Sequence, residues 1–159
     1  MPSAPVPAGP GVGLKSRHVA DVLRPGGADA DGIAFLEIHA ENYMGEGGPA
    51  LARLEAVRER YPLSLHGVAL SIGGPDPLDG AHLKRLRRLA DRFAPGLFSE
   101  HLAWSTHEGV YLGDLLPLPY TEATLARVAD HVAEAQVAVG LRLLLENPST
   151  YLLFEADEM

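Results

Sequence analysis

The sequence predicts an α/β protein of the (β/α)8 TIM-barrel type, with only about the first five βα units present, a truncated barrel. Three observations predict it. Short apolar runs alternate with longer segments of helical period, the pattern of a parallel sheet covered by helices. Each run has one apolar face and another that turns polar toward its C-terminal end, where such barrels gather their chemistry. The competing doubly wound sheet expects a glycine-rich phosphate loop after its first strand, and no GxGxxG follows residues 11–14.

The first ten residues, "MPSAPVPAGP", read as a disordered tail, and residues 11–159 as the N-terminal portion of the barrel domain. "GVGL" (11–14) is the first strand, followed by the helical "SRHVADVL". "IAFLEIHAEN" (33–42) is the second, before a helix whose face carries Leu51, Leu54, Val57 and Tyr61. "LSLHGVAL" (63–70) precedes Leu83, Leu86, Leu89 and Phe93, an apolar stripe among basic residues. "GLFSEHLAW" (96–104) leads through a Pro-rich loop to a helix with Leu125, Val128, Val132 and Ala135 on one face. Thr121 is its expected N-cap and Glu122 suits its dipole. "LRLLLEN" (141–147) is the fifth strand, and "YLLFEADEM" starts a sixth unit that stops. Eight such units would need about 230 to 250 residues, the usual barrel length. The end at Met159 therefore reads as truncation, leaving an exposed sheet edge.

Composition narrows the function. At 159 residues, 47% of them hydrophobic, the chain can bury a real core. Thirteen basic against 21 acidic residues give a formal charge of −8, which argues against a nucleic-acid partner and against an anionic membrane surface. No segment approaches the roughly 18 apolar residues of a membrane span, so a cytoplasmic location is expected. With no cysteine, any metal must be held by His, Asp or Glu.

Strand alternation then selects candidates. Glu37, His39 and Glu41 share one face, as do Ser64 and His66, Ser99 and His101, and Arg142, Leu144 and Glu146. His66, His101 and Glu146 occupy equivalent strand-end positions. Two imidazoles and a carboxylate suit iron, manganese or zinc with positions left open for substrate. A hydrogen-bonded polar network at a barrel mouth explains the same placement. Glu41 and Asn42 are candidate catalytic residues, by binding substrate or by orienting a ligand imidazole, although a turn cap after the second strand also accounts for them. Glu100 points to the opposite face from His101 and reads as a structural partner, and His39 as a core or supporting residue. His18, His82, His107 and His131 fall in helices or loops, where packing or exposure is the default. Trp104 and Tyr111 flank the site loop as packing aromatics. No serine-hydrolase order or nucleophile elbow is present.

Six ordered blocks carry a more specific signal: "GVGLKSRH", "FLEIHAENYMGEGG", "LSLHGVALSIGGPDPLD", "FSEHLAWS", "GDLLPLPYTEATL" and "LLLENPSTY". Together they resemble the multinuclear non-heme iron-dependent oxidative enzymes, the family of the methanobactin-biosynthesis iron oxidase. The resemblance implies a TIM barrel holding two or three iron ions. It implies use of dioxygen to modify residues, often cysteines, of a ribosomally made precursor peptide, with a small partner protein that recognises the peptide's leader. Carried over residue by residue, the family's ligands fall on His66, His101 and Glu146, the last bridging metals. Its later Asp and His ligands have no counterpart before Met159, so this chain is expected to be inactive alone or to need its missing half. Zinc or manganese in place of iron would instead fit a metal-dependent isomerase or endonuclease-like barrel. A non-catalytic remnant acting as a binding or oligomerising module is the alternative from outside enzymes.

Overall fold

A computed structural model describes residues 8–26, 32–149 and 154–157. Five parallel strands form one sheet in the order β1, β2, β3, β4, β7: Gly11–Gly13, Phe35–His39, Leu63–Gly67, Leu97–His101 and Leu143–Glu146. The expected α/β class with its parallel five-strand sheet is thus present, an arrangement compatible with part of a barrel. Residues 1–7 of the expected tail, and most of "YLLFEADEM", lie outside the described residues.

The helices form where the apolar spacing places them. α1 (Val19–Leu23) follows a 3-10 turn, α2 (Pro49–Arg58) buries Leu51, Leu54 and Val57, and α3 (Gly80–Phe93) buries Leu83, Leu86, Leu89 and Phe93. Asp79 caps α3, its carboxylate accepting from the Ala81 N–H at 2.7 Å. Thr121 caps α4 (Glu122–Val139) as expected, accepting from the Thr124 N–H at 3.1 Å, and Gly140 ends that helix in the left-handed conformation at φ 76°. These apolar faces close onto Leu36, Ile38, Leu63, Leu65 and Phe98, the helix-facing side of the sheet.

Three local features depart from expectation. The segment read as a loop after β4 contains an antiparallel hairpin, β5 (Trp104–His107) and β6 (Val110–Leu116). Its two-residue turn places Glu108 and Gly109 at φ 47° and 76°, the double positive-φ turn that matches strand twist. Ser71 Oγ anchors it by accepting from the Ser105 and Thr106 N–H groups at 3.0 and 3.2 Å. The second strand ends at His39, and Ala40–Tyr43 form a 3-10 turn, so strand alternation no longer governs Glu41. On α4 the buried stripe is Thr124, Val128, His131, Ala135 and Val139, while Leu125 is 51% exposed. Leu125 instead lines an apolar cavity of about 140 Å³ with Leu102, Leu118 and Leu145 beside the edge strand β7.

Candidate metal centre

The sheet register brings the strand-end residues together. His39 pairs with His66, His66 with Ser99, and His101 with Glu146, so the polar row climbs two residues from β3 to β4 as it crosses the sheet. The Leu102 N–H, donating to the Glu146 carbonyl at 2.8 Å, locks the last step. The His66 and His101 rings meet edge to face at 4.5 Å between centroids, and His39 stands 5.6 Å from His66. Ligand atoms of His66, His101 and Glu146 lie within 4.8 Å of one another, the grouping expected from the sequence.

The three side chains sit in different surroundings. His66 is buried, and its Nδ1 is hydrogen-bonded to Ser99 Oγ at 2.8 Å, with Glu146 Oε2 3.9 Å away. The Ser99 contact fixes the orientation of the ring. His101 Nδ1 is buried with no hydrogen-bond partner, which is costly for an imidazole nitrogen. Burial, reinforced by the neighbouring His66, holds the His101 imidazole below the usual histidine range, so it presents a lone pair and not a second N–H. Glu146 is exposed on one side. Two imidazoles, one short of a partner, and a carboxylate on an open face match a transition-metal donor set.

Glu41 and Asn42 part company. Asn42 is exposed beside a cavity of about 200 Å³, lined also by Lys15, Ser16, Glu37, His39 and Tyr43. Glu41 turns to the helix-facing side, where Oε1 accepts from the Val68 and Ala69 N–H groups at 3.0 and 3.2 Å. There it meets two residues that strand alternation did not assign to any site with it: His82, in the first turn of α3, and Glu100. His82 Nε2 approaches Glu41 Oε1 at 3.4 Å without hydrogen-bond alignment, and Glu41 Oε2 is buried without a partner. Burial alone would raise the Glu41 carboxyl, but His82 and the Val68 N–H outweigh it and hold it below the usual range. Glu100 lies on the face opposite His101, as expected, only 1% exposed. Burial, and then the charge of Glu41, push its carboxyl up to about 8. The one sequence signal for His82 was its place on the α3 stripe, four residues before Leu86. Of the other histidines, His131 packs inside with Nδ1 on the Ile72 carbonyl at 2.9 Å, and Trp104 donates from Nε1 to the Pro117 carbonyl at 2.6 Å.

With this geometry in place, comparison with known protein families matches residues 9–159 to the family described as "RiPP precursor modification enzyme MbnB/TglH/ChrH". The chain belongs to this family. It is the same family that the six sequence blocks resemble. Curated relatives of the chain include a UPF0276 protein of Rhizobium meliloti (strain 1021), 54% identical over 160 residues, covering 100% of this chain and 50% of that protein. Another, from Paraburkholderia phytofirmans, is 52% identical over 149 residues, covering 94% of this chain and 47% of the relative. A third, from Caulobacter vibrioides, is 54% identical over 142 residues, covering 89% and 49%. The chain spans about half the length of the curated relatives it matches.

Proposed function

We propose that this chain forms part of an iron-dependent oxidase that uses dioxygen to modify residues, cysteine foremost, of a ribosomally synthesised peptide. The observation that carries the reading is the convergence of His66, His101 and Glu146 at the ends of three adjacent strands, in a chain of a peptide-modifying family. Iron held there would supply a redox-active centre able to take electrons from the substrate side chain.

The chain's own residues supply the setting. Ser99 fixes the His66 ring through Nδ1, and burial keeps His101 ready to donate a lone pair. Glu146, exposed on β7, would hold a cation together with His66 and His101 and would share it with ligands outside these three. Asn42, with His39 and Lys15, lines the cavity next to the donor row and offers a peptide both amide hydrogen bonds and a positive charge. The sheet belongs, in this reading, to a (β/α)8 barrel whose later strands add the remaining ligands. The 159-residue chain alone would then bind a cation without turning over, and a small partner protein would deliver the peptide by its leader.

The test is to purify the complete protein anaerobically, measure its metal, and follow dioxygen uptake with cysteine-containing precursor peptides. Bound iron and peptide-dependent uptake are expected. Zinc without uptake would favour an isomerase or endonuclease-like hydrolase, and a metal-free protein that only binds peptide would favour a binding module.

A further inference from the structure

On the helix-facing side of the sheet, away from the donor row, two glutamate side chains hold the backbone that carries His66 and His101. Glu41 Oε1 accepts from the Val68 and Ala69 N–H groups at 3.0 and 3.2 Å. Glu100 continues the series: Oε1 accepts from the Leu70 N–H and Oε2 from the His101 N–H, each at 3.1 Å. Three successive amides beginning two residues after His66, and the amide of His101 itself, therefore close onto two side chains. Chain turns leaving a sheet ordinarily give such amides to water. Gly67 makes room for this arrangement, since a Cβ there would run into the Glu100 carboxyl. Burying Glu100 this deeply is costly, and an apolar side chain would fill the space without that cost. What an apolar side chain could not do is accept these N–H groups.

We propose that Glu41 and Glu100 are positioning residues, a two-glutamate clamp that sets where the His66 and His101 rings stand relative to each other and to a bound cation. The clamp rests on the metal reading of the donor row. It acts through the main-chain amides of Val68, Ala69, Leu70 and His101. Metal ligand distances tolerate only about 0.2 Å of error, so a small drift of either strand end is felt at the cation. The two glutamates also differ in a way that a conservative change exposes. Both Glu41 bonds fall on one oxygen, which glutamine retains as its carbonyl; Glu100 uses both oxygens, and glutamine retains one.

The experiment uses the 159-residue chain and Co²⁺ as a spectroscopic probe of the donor row, with His66→Ala marking loss of the site. Circular dichroism confirms that each variant is folded. Glu41→Ala and Glu100→Ala are expected to weaken Co²⁺ binding by about 10- to 100-fold, the range for residues that orient ligands. Glu41→Gln should return to within about threefold of the parent, and Glu100→Gln should fall between parent and alanine variant. Amide exchange at Val68 and Ala69 should accelerate in Glu41→Ala, and at Leu70 and His101 in Glu100→Ala. Folded alanine variants with parental Co²⁺ affinity and spectrum would overturn the clamp. If the parent binds no Co²⁺, the metal reading fails by itself, and the clamp is then judged from the ring NMR signals of His66 and His101 in the metal-free chain. Movement of those signals in both alanine variants sustains it, and unchanged signals overturn it. Should an alanine variant not fold, the glutamine pair decides: equal behaviour of Glu41→Gln and Glu100→Gln contradicts the one-oxygen and two-oxygen assignment.

Discussion

His101 shows how much one position can carry. Its ring edge meets His66, its Nδ1 is buried without a partner, and its amide is held from the opposite face by Glu100. Replacing His66, His101 or Glu146 by alanine should therefore remove bound cation while leaving the apolar helix faces, and so the fold, in place. The expected loss exceeds the 10- to 100-fold cost typical of orienting residues, and elemental analysis with circular dichroism on the same samples checks it. Unchanged metal content in all three variants would contradict the assignment. These three positions were legible in the sequence because strand alternation has a fixed period and each lies at a strand end. Glu41 was not, because the chain enters a 3-10 turn one residue before it and the side chain leaves the face that alternation predicts. The gathering of His82 with Glu41 and Glu100 was invisible for a different reason: it joins a helix, a turn and a strand through long-range packing that no local spacing encodes.

The elements divide along similar lines. α3 was readable because a continuous apolar stripe and a basic outer face agree with one another, while its Asp79 cap emerges only in the structure. Asp79→Ala should lower stability by about 1 kcal/mol at neutral pH. The cap bond to Ala81 holds the Asp79 carboxyl below its ordinary value of 3.8. Its contribution is therefore present above that pH and is lost as pH falls through the lower folded value, so parent and variant should converge in strong acid. Chemical denaturation at neutral and acid pH measures this. Leu86, fully buried in the same helix, should cost about 2 to 5 kcal/mol when cut to alanine, with the acid dependence unaltered. The β5–β6 hairpin escaped notice because prolines and glycines dominate the composition around it, and its Glu108–Gly109 turn is not one of the Asn-Gly or Asp-Gly pairs that signal a two-residue hairpin. On α4, the neighbouring edge strand admits Leu125 to a partly open cavity and leaves Thr124 and His131 to face inward. Hydrophobicity alone cannot see that exchange.

For the molecule as a whole, the parallel order of five strands was recoverable because each βα unit repeats the same pattern. Within the described residues β7 has a neighbour on one side only, and Leu144 and Leu145 are 44% and 40% exposed. An unpaired apolar edge of this kind promotes association. The chain alone should self-associate with rising concentration in light scattering, and Leu144→Lys with Leu145→Lys should suppress it; monomeric behaviour of the parent at high concentration would contradict this. The donor row is tested most directly by Mössbauer spectroscopy and iron analysis of the complete protein, isolated without oxygen, beside its His101→Ala variant. Two or three iron ions are expected in the parent, and loss of at least one, with altered signals, in the variant. A parent without iron, or a variant with the parent's iron content and spectrum, would contradict the iron reading.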